Sequence, residues 1–288
     1  MVEQKHDRAS RKRAVIPLIE KAAGVLTPVN PIHYLSMALR RKLYVVGSQA
    51  LFPNNCIDSN RSFQKAEELV KEGYGLAVVT RHLSNRDFFM LMGLFGKKSE
   101  VTRSRGSERA ISVPLAYHQL GLGVKGFFNY FGVTPQIVVT EETVEKGKNF
   151  DSLGQELQVG HGFRSYVLTA SQVLDNGEIV FLAPSATRTA VHEPWQGRPI
   201  ESLVRLTKSD KVAFVTVGLD IPGVKDYAKC RGFNIFRHRR YLVTMGPVHT
   251  KPELLQIAAE RDISVDRVMA DEIAMLVRPQ TLGKAYNY

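Results

Sequence analysis

From Gly75 to Thr80 the chain reads G-L-A-V-V-T, an apolar run too short for a helix and too continuous for a half-exposed strand. Such a run predicts a strand covered on both faces. Comparable runs recur as P-Q-I-V-V-T from Pro135, G-E-I-V-F-L-A from Gly177, K-V-A-F-V-T-V-G-L from Lys211 and R-Y-L-V-T-M-G from Arg240. An earlier stretch, K-L-Y-V-V-G from Lys42, reads as a strand by the same criterion. Between these runs, Ser62 to Glu72 and Phe163 to Leu174 space their apolar residues three and four apart, the period of an amphipathic helix. A long helical region follows the last strand. Strands alternating with helices predict an α/β fold, a mixed and largely parallel sheet flanked by helices, with ligands gathering at strand ends.

Ahead of this pattern, Ala14 to Leu43 carries V-I-P-L-I-E-K-A-A-G-V-L and H-Y-L-S-M-A-L-R-R-K-L, separated by T-P-V-N-P. Two short helices around a proline-rich turn fit these residues. The chain therefore divides into a basic helical segment, 1–42, and an α/β domain, 43–288. The segment reads either as an element lying on a membrane or donor, with Arg11, Lys12, Arg13, Arg40, Arg41 and Lys42 on its polar side, or as a packed hairpin whose charges face water.

Composition narrows the class. Over 288 residues, 44% apolar and 23% charged residues exclude a disordered or collagen-like chain. A formal net charge of +11 concentrates anions of many kinds near the surface, among them lipid headgroups, coenzyme A and acidic carriers. Cys56 and Cys230 lack redox or zinc spacing, which suits free thiols in a reducing compartment. The amino terminus is a poor signal peptide, and no apolar run reaches the roughly eighteen residues of a spanning helix. These features predict a cytoplasmic protein that meets an anionic membrane surface peripherally.

The chemistry-bearing pattern begins where G-L-A-V-V-T ends, at R-H-L-S-N-R-D. With His82 at the strand end and Asp87 in the first turn of the next helix, the carboxylate can curl back to one imidazole nitrogen and leave the other exposed. A carboxylate so placed fixes the tautomer and stabilises imidazolium, letting neutral histidine take a proton from an attacking alcohol. Alternatively, Ser84, Asn85 and Asp87 are ordinary helix-start residues beside a loop histidine. A second element, L-D-N-G-E-I-V-F-L-A-P-S-A-T-R-T, runs a strand into Pro184 with Arg188 on the loop beyond it.

Together the two elements resemble the glycerolipid acyltransferase family, in which an H-x4-D motif at a strand end precedes a strand leading into a P-E-G-T-R loop and a later I-P-V strand. The matching pieces here are R-H-L-S-N-R-D, F-L-A-P-S-A-T-R-T and K-V-A-F-V-T-V-G-L, and the likeness covers roughly Leu43 to Leu219. The resemblance implies an O-acyltransferase of the glycerol-3-phosphate or lysophosphatidate type, with His82 as general base and Asp87 orienting it. Ser84, Arg86, Pro184, Ser185, Thr187 and Arg188 would bind substrate, Arg188 gripping the phosphate of the acceptor hydroxyl compound through its guanidinium fork. An acyl-CoA or acyl carrier protein thioester would be the co-substrate, with no cofactor and no metal. The alternative within the same likeness is a catalytically weakened member that binds lipid or acyl carrier. The chain departs from the family at Ser185, where glutamate is usual, at Ala186, where glycine is usual, at Arg81, where asparagine is common, and in G-V-T-P-Q-I-V-V-T-E-E, which lacks the middle-motif arginine.

Other features read more plainly. Arg237, Arg239 and Arg240 in F-R-H-R-R-Y, and Arg103 and Arg105 between Lys97 and Arg109, would face either an anionic ligand or water. The G-L-G-V-K-G at Gly121 lacks the strand before it that a nucleotide loop needs, His161 and His192 have no ligand set at metal spacing, and Ser185 lacks the G-x-S-x-G of a hydrolase elbow. Nucleic acid is not an expected partner.

Overall fold

A computed structural model describes residues 54–83, 87–97, 133–139, 141–151, 153–184, 198–222 and 240–279, parts of 39–48 and 103–116, and residues 192, 194, 195 and 282. The elements in chain order are β1 (Asn54–Ile57), α1 (Ser62–Lys71), β2 (Gly75–Thr80), α2 (Asp87–Lys97), β3 (Arg103–Ser104), β4 (Ser107–Glu108), β5 (Ile111–Ala116), β6 (Val133–Val138), α3 (Glu141–Glu145), α4 (Phe163–Asp175), β7 (Ile179–Leu182), α5 (Pro199–Leu206), β8 (Val212–Asp220), β9 (Tyr241–Thr250), α6 (Lys251–Glu260) and α7 (Val265–Leu276). β3 and β4 form a small antiparallel pair of their own. The other seven strands form one sheet in the order β1-β9-β8-β2-β7-β5-β6. Only the β8–β9 contact is antiparallel, so the fold is α/β with a mixed, mostly parallel sheet between helices.

Two apolar layers account for the continuous strand runs. Leu76, Val78, Ile179, Phe181, Val215 and Val217 face a core shared with Phe63, Leu91 and Phe95 of α1 and α2. Their neighbours Ala77, Val79, Val180, Leu182 and Phe214 face the opposite core, built with Ala170 and Leu174 of α4, Ile200 and Leu203 of α5, and Met269 and Ile273 of α7. Because both faces are covered, alternation along β2, β7 and β8 sorts side chains between two cores rather than between core and water. Each fully buried aliphatic side chain contributes about 1.5–3 kcal/mol. The strand edges carrying the loops are thus rigidly backed.

Two glycines set how α4 meets β2. Gly177 takes φ +75 and ends the helix, its N–H donating to the Leu174 carbonyl. A Cβ at Gly75 would collide with the backbone of Leu174, so the absence of a side chain there lets the helix end lie against the strand.

The structure corrects the sequence reading in three places. Residues 42, 43 and 46–48 of K-L-Y-V-V-G-S are helical, not a strand. Apolar β-branched residues suit either state over so short a run, and here tertiary packing decides. The first strand is instead N-N-C-I, an edge strand paired only with β9. β5 is a strand that the sequence reading did not see, and it stands before the glycine run from Gly121, where no strand was expected; it contains Pro114, and its pairing with β7 stops at Ser112, so beyond that point one side of β5 requires no donor. The C-terminal helical region is present as read, as two helices with a break where Asp262 adopts φ 50. Arg105, Arg237, Arg239 and the glycine run from Gly121 lie outside the described residues.

Candidate active site at the strand ends

β2 ends at Thr80, and Arg81, His82 and Leu83 leave it at the edge where β7 and β8 also end and β9 begins. Asp87 opens α2 and is completely buried. Its position at a helix N-terminus favours a negative charge. The His82 Nδ1–H donates to Asp87 Oδ2 over 3.0 Å, and the Leu83 backbone N–H donates to the same oxygen over 2.6 Å. The other oxygen, Oδ1, accepts from the Tyr241 hydroxyl at the start of β9, 3.2 Å away. Among the described residues, donors from three chain positions therefore hold both carboxylate oxygens.

A carboxylate accepts only, so the shared proton resides on Nδ1 and the lone pair of His82 on Nε2. Nε2 has no hydrogen-bond partner among the described residues. The imidazole is 13% exposed, enough to meet a reactant while its orientation is held by Asp87 and by the ring of Phe88, whose centroid lies 5.7 Å away.

Charge beneath this pair is balanced. Arg81 is buried, and loss of water pulls its guanidinium down to about 10, a pull opposed by the fields of Asp220 and Asp87 and reinforced by Arg278. Asp220, the last residue of β8, accepts Nε and Nη2 of Arg278, the second contact at 2.7 Å, and the Ile221 N–H at 2.8 Å. The contact with Asp220 is the main cause raising the Arg278 pKa. Two arginines and two aspartates thus interlock under His82, tying the segment after α7 to the end of β8.

Of the residues singled out in sequence, His82 and Asp87 are brought together, and Pro184 is half-buried just past β7. β7 runs beside β2 with Leu182 opposite Val79, so Pro184 leaves the sheet level with Arg81. Ser84, Arg86, Ser185, Thr187 and Arg188 lie outside the described residues. Tyr241, Asp220 and Arg278 were missed. Tyr241 lies in sequence at the end of a basic cluster, 154 residues from Asp87, and no local spacing links them.

Two other histidines are bound differently. His192 is buried, donates Nε2–H to the Ala270 carbonyl over 2.8 Å, and is held at a pKa of about 4 by desolvation. His249 Nε2 meets Glu272 Oε1 at 2.6 Å, and Thr216 donates to the other oxygen at 3.1 Å. That pair pins α7 to β8 and β9 and sits far along β9 from Tyr241, towards the opposite edge of the sheet, beside a cleft of about 470 Å³ lined by Ser62, Lys65 and Gln256. No helix among the described residues is long and apolar enough to cross a membrane.

Among the described residues, the strand ends bring together a histidine whose Nε2 has no hydrogen-bond partner, a buried carboxylate on its other nitrogen, and Pro184 leaving the sheet nearby. No protein-family model matches the chain, and no curated protein matches it in sequence.

Proposed function

We propose that the chain is an O-acyltransferase that moves a fatty acyl group from an acyl-CoA or acyl carrier protein thioester to a hydroxyl of a glycerol-phosphate-type acceptor. The observation that carries this reading is the His82–Asp87 contact of 3.0 Å with the carboxylate wholly buried and no partner for Nε2 among the described residues. The order of the H-x4-D, P-S-A-T-R and following strand elements along the chain supports the same class.

In the proposed reaction, His82 Nε2 takes the acceptor hydroxyl proton as the oxygen attacks the thioester carbonyl carbon. Asp87 stabilises the imidazolium that forms. The tetrahedral intermediate collapses with cleavage of the carbon–sulfur bond, and the imidazolium returns its proton to the departing thiolate. Ester and thiol are the products, with histidine regenerated and no covalent enzyme intermediate. Arg188, in the P-S-A-T-R element that begins at Pro184, is the proposed contact for the acceptor phosphate, with Ser84, Arg86, Ser185 and Thr187 as the other proposed substrate contacts.

The test is mass spectrometry of lipids formed when mixed acyl thioesters meet glycerol 3-phosphate, lysophosphatidate and simple alcohols in competition. A phosphate-bearing ester as the main product supports the reading. Tight binding of thioesters or acyl carrier without any ester formed would instead assign a binding protein.

A further inference from the structure

β9 runs on past the short strand that borders it. β1 pairs with Tyr241 to Thr244 only, and among the described residues no strand lies on that side of Pro247 to His249. The cleft of about 470 Å³ opens there between α1 and α6, with room for a small ligand. His249 lines it, and Glu272 Oε1 of α7 holds the imidazole Nε2 at 2.6 Å. A carboxylate accepts only, so the shared proton resides on Nε2 and the lone pair on Nδ1, which has no hydrogen-bond partner among the described residues. Glu272 is buried, and its partners among the described residues are His249 and the Thr216 hydroxyl, both uncharged donors in this tautomer. Burying a carboxylate against neutral donors alone is costly, and the imidazole links that charge to the cleft.

The rim decides which sign of charge the cleft takes. On α6, Glu253, Gln256, Ile257 and Glu260 stand three and four apart and so share the face turned to the cleft. Gln256 Nε2 donates to Glu260 Oε1 over 2.7 Å and steadies that carboxylate. Glu253 Oε2 accepts the Thr250 N–H over 2.8 Å, the main cause lowering its pKa, so it stays ionised. Lys65 of α1 approaches the same oxygen at 3.4 Å, with both side chains about half exposed. The lining thus sets two carboxylates against one ammonium, in a chain whose net charge is +11. An anion would meet like charges at Glu253 and Glu260, and a lone pair rather than a donor at His249 Nδ1. An ammonium meets acceptors at all three. The exposed pair with Lys65 is weak enough for a second ammonium to displace it, and Pro247 and Ile257 offer apolar surface to a carbon chain.

We infer that this cleft binds an organic ammonium ligand, with His249 Nδ1, Glu253 and Glu260 accepting from its N–H groups and Pro247 and Ile257 packing on its carbon chain. The inference does not rest on acyl transfer, and its readout is binding alone. It is tested on the full-length chain with probes of equal length and different charge, the terminal diamine, diol and dicarboxylate of pentane. The imidazole proton NMR signal of His249, identified by its loss in H249Q, reports on the cleft. The diamine shifts that signal saturably, whereas the diol and the dicarboxylate leave it in place. Calorimetry with the diamine gives an affinity roughly tenfold or more lower in E260Q and in H249Q, whose amide reaches Glu272 in place of Nε2 but sets no acceptor at Nδ1. K65M, which frees Glu253, binds the diamine up to roughly fivefold more tightly. Melting temperatures taken alongside show that each variant is folded, and E260Q, altering an exposed residue, keeps the test decisive where H249Q does not fold. An equal shift from the diol or the dicarboxylate overturns the inference, as does an E260Q affinity equal to wild type or the lack of any saturable shift with the diamine.

Discussion

Replacing Tyr241 by phenylalanine removes one hydroxyl from a fully packed position and leaves the ring in place. The lost contact is the 3.2 Å hydrogen bond to Asp87 Oδ1, from a tyrosine that is 1% exposed to an aspartate with no exposure. A hydrogen bond to a charged group contributes about 1.5–3 kcal/mol, and a buried acceptor deprived of it cannot recover the bond from water. We expect Y241F to lower stability by about 2 kcal/mol, a fall in melting temperature of roughly 3 °C for a chain of this size. Asp87 keeps the Leu83 N–H and His82 Nδ1–H on its other oxygen, so the dyad survives but is less rigidly aimed. The expected kinetic effect is a fall in kcat of roughly tenfold with KM for thioester and acceptor unchanged, since the hydroxyl points at Asp87 and not at substrate. Thermal melts and steady-state ester formation measure both. A Y241F protein with wild-type stability and wild-type kcat would show that β9 does not position the carboxylate.

D87N should be more severe, because an amide with its NH2 towards the Tyr241 hydroxyl still accepts from Leu83 and His82 but carries no charge to stabilise imidazolium, while the flipped amide sets NH2 against both of those donors, and ester formation should drop by roughly 10³-fold or more; a loss under tenfold argues against Asp87 as the orienting group. R81M removes a buried cation from the fields of Asp220 and Asp87, and should cost about 3–5 kcal/mol in urea unfolding. Near-native stability would mean that the arginine does not neutralise those carboxylates. His192 protonates only near pH 4 when folded but near its ordinary 6.5 when unfolded, so the unfolded chain binds the extra proton in that window. Stability should therefore fall by about 3 kcal/mol as pH drops from 6.5 to 4, and no further from this group below that. H192Q, which keeps an N–H for the Ala270 carbonyl, should flatten that part of the stability profile, and an unchanged slope would assign the acid sensitivity elsewhere.

The sheet interior was legible because burial on both faces turns β2, β7 and β8 into unbroken apolar runs. The helix α4 was legible for the complementary reason, Tyr166, Ala170 and Leu174 recurring at helical spacing. β1 was not, since N-N-C-I carries no strand signature and is a strand only because β9 pairs with it. In the site, His82 and Asp87 could be read because a strand end and the next helix start bring them together within five residues. Tyr241, Asp220 and Arg278 could not, because they converge on Asp87 and Arg81 from β9, β8 and the segment after α7, and sheet order is not written in local spacing. The stretch from Lys42 was misread because an apolar run so short suits helix or strand equally, and the close approach of Ser48 to Gly93 of α2 is not written in local spacing.

The central claim is that His82 Nε2 removes the acceptor proton during acyl transfer. It is tested most directly by the single-turnover rate of ester formation for H82A beside wild type, with thioester bound at saturation. The account predicts ester from wild type and a rate at least roughly 10³-fold lower in H82A, with thioester affinity within error of wild type and a fall in melting temperature of only a few degrees, about that of Y241F, from the lost hydrogen bond to Asp87. Ester formation by H82A at the wild-type rate would contradict it.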